Sequence, residues 1–142
     1  MDCPQPFETA TFYQALLGGF ISPEDQSADW INLFEPSGRQ ILSFQRAENY
    51  VASTWPDNTV PDQVHIDILV DSHDEAEPAV FAAGGRLIDG SDDHPSFRGY
   101  ADHIGRPFCL VVERGRAGMR PSCNGAEARR KRHPLPPTAV WH

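Results

Sequence analysis

The 142-residue sequence is short of several features that would assign it a function class at once. No apolar run approaches the roughly 18 to 20 residues needed to span a bilayer, so no membrane segment is expected. The opening Met1-Asp2-Cys3-Pro4 has no basic stretch leading into an apolar one, which argues against a secretory signal. Cysteine is sparse: Cys3, Cys109 and Cys123 are odd in number, far apart and form no CxxC pair. That excludes a disulfide framework and a zinc knuckle, and a reducing cytoplasmic setting is the expectation. A nucleophile elbow, a phosphate-binding loop and a dinucleotide fingerprint are all missing, and Gly84-Gly85 reads as a helix stop.

What is present is a globular composition, 39% hydrophobic and 23% charged, at a length that fits one domain. The net charge is −8, unevenly spread. Residues 1–115 hold 19 acids against 6 arginines, giving −13; residues 116–142 hold six basic residues and one acid, giving +5. An acidic body repels phosphates and anionic lipids, so neither nucleic acid nor a membrane is an expected partner. The basic run Arg129-Arg130-Lys131-Arg132 lies among Gly and Pro, and residues 116–142 read as a disordered, solvated tail.

Along residues 1–115 the pattern repeats. Pro6 to Leu17 has helical spacing, begins with a proline suited to the first turn and is stopped by Gly18-Gly19. Strands are predicted at Phe20–Ile21, Trp30–Phe34 and Gln40–Gln45, the last two joined by the turn Pro36-Ser37-Gly38. Residues 47–63 read as a connector. Then come a strand at His65–Val70, a helix of about ten residues ending at Ala83, and strands at Arg86–Ile88, Phe97–Ala101 and Phe108–Val112. The Gly-Gly stops lie 66 residues apart, as expected of a duplication. This gives an α+β fold of two βαβββ modules, about 1–59 and 60–115. The strand matching His65–Val70 is expected to be missing from module one, the recorded start being read as too late.

Paired βαβββ modules, with Asp2-Cys3-Pro4 leading to Phe12-Tyr13 and Leu17-Gly18, Leu42-Ser43-Phe44-Gln45, Val64-His65-Ile66-Asp67, and Phe97-Arg98 through Tyr100-Ala101-Asp102 to Gly105-Arg106-Pro107-Phe108-Cys109-Leu110, resemble the glyoxalase-like subgroup of the vicinal oxygen chelate superfamily. The resemblance implies curved sheets around a cleft and, in metal-dependent members, a divalent ion held by His and Glu from the first strand of each module and the last strand of the second. It also implies a homodimer. On that template His65 occupies a ligand position and Cys109 aligns with the usual Glu, while the first-module ligand falls in the missing strand.

Cys109 lies in an apolar strand and reads first as a small core residue, with thiolate ligation as the alternative. His65 and Asp67 are two apart in a strand and share a face, so both would reach the cleft if Ile66 and Ile68 face the helices. Gln45, Trp55 and Tyr100 are further candidates for the lining. Arg106 could grip a carboxylate or balance a neighbour such as Asp102. His73, His94 and His103 read as solvated. Three functions stay open: a protein that binds a small organic molecule without a complete metal triad, a divalent-metal lyase, isomerase or dioxygenase, and a truncated inactive member.

Overall fold

A computed structural model describes residues 1–22 and 28–112, and the backbone of 138–141. Helix α1 (Pro6–Leu17) and helix α2 (His73–Ala82) each follow a first strand and precede three antiparallel ones. Strands β1 (Asp2–Cys3), β2 (Phe20–Ile21), β3 (Trp30–Phe34) and β4 (Gln40–Arg46) form one mixed sheet in the order β1-β4-β3-β2. Strands β5 (Ile66–Leu69), β6 (Arg86–Asp89), β7 (Phe97–Ala101), β8 (Pro107–Val111) and β9 (Thr138–Trp141) form the other, ordered β6-β7-β8-β5-β9. In each module the first strand lies parallel to the last, β1 beside β4 and β5 beside β8.

Asp2–Cys3 forms a two-residue strand beside Gln45–Arg46, in the place that the four-residue β5 takes beside β8. One expectation changes. Residues 116–137 and 142 of the expected tail lie outside the described residues, but Thr138–Trp141 is a strand, antiparallel to β5 with Ile66 opposite Trp141. The outer edge of β5 offers unpaired backbone groups, and Thr, Val and Trp favour extended structure.

Helix α1 ends where its sequence requires. Gly18 and Gly19 have φ of 72° and 85°, and a Cβ on Gly19 would lie 2.1 Å from the Phe34 carbonyl oxygen. Only glycine turns there and lets β3 approach. In α2, Pro78 removes one donor from the helix interior, and Gly84 at φ 94° follows its end.

The core is an aromatic run shared by both modules. Tyr13 stacks on Phe44 at 5.7 Å, Phe12 meets Phe108 edge-on at 5.8 Å, and Tyr100 stacks on Phe108 at 5.6 Å. Each fully buried ring contributes on the order of 2 kcal/mol through apolar burial. The Tyr13 hydroxyl donates to Asp102 Oδ2 at 3.2 Å, joining the modules through a buried polar contact. Asp102 also accepts from the backbone N–H of Ile104 and Arg106, which closes the β7–β8 turn. Burial raises its carboxyl pKa above the ordinary value, against the pull of these donors.

Candidate functional site

Alternation along β5 sets the site. Ile66 and Ile68 are buried in the core, so Asp67, and His65 just before the strand, stand on the opposite face. The sheet register extends this face sideways. Asp67 lies opposite Cys109 of β8, Cys109 opposite Gly99 of β7, and Gly99 opposite Asp89 of β6. One lateral row of the second sheet therefore reads Asp67, Cys109, Gly99, Asp89.

Gly99 leaves a gap in that row, and Trp55 from the connector fills it. A Cβ on Gly99 would lie 2.6 Å from Trp55 Cη2 and 2.7 Å from Cζ3. The indole thus rests directly on the sheet, one strand from Cys109. His65 Nε2 lies 3.4 Å from Asp67 Oδ1, and its Nδ1 lies 3.7 Å from Asp62 Oδ2. Both separations are longer than a tight hydrogen bond. One donor atom each from His65, Asp67 and Cys109 lies within 4.8 Å of the others.

The electrostatics of this face are acidic. Burial, then Asp67, Asp62 and Asp89, push the Cys109 thiol up to about 12, so it is neutral at pH 7. Burial also raises the Asp62 carboxyl, with His65 and Arg106 pulling the other way. At the far end of the row Asp89 meets His94 Nε2 at 3.1 Å, and the His94 ring stacks on Phe97 at 4.0 Å.

His65, Asp67, Cys109 and Trp55 therefore come together. Three other candidates do not join them. Tyr100 is fully buried on the helix side, stacked on Phe108, and donates to Glu77 Oε1 at 2.9 Å; it does not line the open face. Its strand neighbour Gly99 takes that side, because alternation allows only one of the two there. Gln45 is exposed on β4 of the first sheet, opposite Asp2 and Trp30. Arg106 lines a cavity of about 730 Å³ between the modules, and its backbone, not its guanidinium, binds Asp102. Two histidines read as solvated are also engaged: His73 Nε2 contacts the Leu110 carbonyl at 3.1 Å, and His94 is the partner of Asp89.

Sequence reasoning missed Gly99, Asp62 and Asp89. A lone glycine inside the strand Phe97-Arg98-Gly99-Tyr100-Ala101 was the available signal, since it marks a close approach. The carboxylates gave none; Asp62 sits in an irregular connector and Asp89 follows a register shift in β6.

The donor set suits a soft divalent ion. At metal–donor lengths of about 2.0–2.3 Å, tetrahedral donors sit about 3.5 Å apart, near the His65–Asp67 separation. Imidazole, carboxylate and thiolate together favour zinc or iron over magnesium. Such an ion would have to displace the Cys109 proton.

A family model described as a glyoxalase-like domain matches residues 1–111. Comparison with curated proteins returns no match. Among solved structures, a hypothetical protein of S. aureus is 21% identical, with a TM-score of 0.55 over 80% of this chain and 89% of that one. A glyoxalase/bleomycin resistance protein/dioxygenase family enzyme from Burkholderia phytofirmans is 15% identical, with a TM-score of 0.56 over 79% and 93%. The fosfomycin resistance protein FosX from Listeria monocytogenes is 15% identical, with a TM-score of 0.56 over 80% and 86%. At these identities the likeness is one of fold. No helix among the described residues is long and apolar enough to cross a membrane.

Proposed function

The chain belongs to the glyoxalase-like domain family, and from that premise we propose that it binds a small organic molecule on the open face of the second sheet, between Trp55 and the group His65, Asp67 and Cys109. The observation that carries this reading is the pairing of an indole seated on Gly99 with three polar side chains in adjacent positions. An aromatic wall with a few convergent polar groups is how small-molecule sites combine affinity with orientation. In this reading Trp55 covers the ligand, His65 and Asp67 fix its polar end, and the neutral Cys109 thiol packs beside it. Sequestration needs no bond to form or break.

The 4.8 Å spread of donors favours a second reading at the same residues, a divalent ion held by His65, Asp67 and Cys109. Bound there, the ion would supply Lewis acidity to a substrate oxygen. A single experiment separates the two. Chelator-washed protein is screened by thermal shift against a metabolite and drug panel, with zinc content measured in parallel. Stabilisation of metal-free protein by a compound, lost in Trp55→Ala and His65→Ala, is the expected result. Near-stoichiometric zinc that disappears in His65→Ala and Cys109→Ala, with ligand binding only when zinc is present, establishes the second reading. No ligand under either condition ends the proposal.

A further inference from the structure

We infer that the cavity of about 730 Å³ between the modules is a separate binding site for a small monocarboxylate with an apolar body, anchored by Arg106. The inference stands apart from the Trp55 face. It rests on an arginine without a counter-ion. Arg39, Arg46 and Arg98 each meet a carboxylate: Glu35, Asp29, and Asp74 with Glu77. Arg86 and Arg106 form no ion pair among the described residues; Arg86 is exposed to water on β6, whereas Arg106 lies at the cavity wall. Its Nη2 donates to the Asp2 carbonyl, its guanidinium lies over the Tyr50 ring at 5.4 Å, and its Nε is shielded from water with no acceptor. Arg106 acts on Asp62 through space but contacts no carboxylate, so a planar cation held by an aromatic ring and one carbonyl at a cavity wall keeps its hydrogen-bonding fork open to a partner from outside.

The rest of the wall narrows the partner's chemistry. Ile41, Val51, Val60 and Val64 offer apolar surface to the body of a ligand. Asp2 and Asp62 share the wall with Arg106 and the Met1 ammonium, so two cations face two carboxylates and a dianion such as phosphate finds little net positive charge. Asp62 turns its Oδ2 toward His65 instead, at 3.7 Å. One negative charge on a compact apolar skeleton is the complement of this lining.

The probe is 4-phenylbutyrate, titrated into the full chain and followed by backbone amide NMR shifts, with the isosteric alcohol 4-phenylbutanol and inorganic phosphate as controls. The expected result is saturable shifts centred on Tyr50, Val51 and Arg106. The alcohol should bind at least about tenfold more weakly, and phosphate should not bind. Arg106→Gln should weaken phenylbutyrate by about tenfold or more. Val51 is 68% exposed at the cavity wall, so Val51→Asp should fold and add a repelling charge; it too should weaken the acid and spare the alcohol. Equal affinity for acid and alcohol, no loss in either variant, or no shifts at millimolar probe overturns the proposal. So does a loss in Trp55→Ala as large as that in Arg106→Gln, since the probe would then lie on the other face.

Discussion

Cys109 shows how one side chain is set by its neighbours. It is partly buried, faces Asp67 across the sheet, and feels Asp62 and Asp89 as well, which together hold its thiol up to about 12. The sign of the consequence follows from linkage. The folded pKa lies above the value near 9 of a free thiol, so the folded state keeps its proton while the unfolded chain loses it. Stability from this group is whole below about pH 9 and declines as pH rises toward about 12. Tyr13 and Tyr100, both raised by burial, extend the decline. Melting curves between pH 8 and 11 should fall for the wild type and fall less for Cys109→Ala; parallel curves would refute the assignment. Iodoacetamide at pH 8 should label Cys109 far more slowly than a free thiol.

At the scale of the element, β7 is built around a missing side chain. Gly99→Ala places a methyl where the Trp55 indole lies, 2.6 Å from Cη2. The indole is the far end of a side chain and can withdraw, so the sheet survives and the contact does not. The expected cost is about 1 to 2 kcal/mol in denaturant melts, with Trp55 emission shifted to the red as the ring enters water. An unchanged spectrum would mean the indole does not rest on the sheet. Elements were the legible part of this chain. Helix α1 and strands β2, β3 and β7 fall on their predicted residues because glycine pairs, turns and alternation mark their ends. His65 and Asp67 were legible as a same-face pair for the same reason. Tyr100 was misread because a strand shows that neighbours face opposite ways but not which way is in. Trp55 was a candidate for the lining, yet its seat on Gly99 depends on a long-range approach that local pattern does not encode. The lateral row depends on strand register, which is also absent from local sequence.

At the scale of the whole molecule, the second sheet ends on β9, contributed from near the far end of the chain. That strand was hidden by the proline-rich, basic residues before it, which look unlike any packed element. Deleting residues 138–142 uncovers the edge of β5, the strand that carries Asp67. The expected result is a melting temperature lowered by several degrees and self-association in sedimentation runs. An unchanged, monomeric protein would show that β9 adds nothing to the sheet.

The repeated order of elements suggests two interchangeable halves, but the Phe12–Phe108 contact and the Tyr13–Asp102 hydrogen bond contradict that freedom. Helix α1 has become part of its sibling's interior. Neither half can be swapped for a second version of the other without rebuilding this seam. Severed in the connector, the halves should be recoverable only by mixing them.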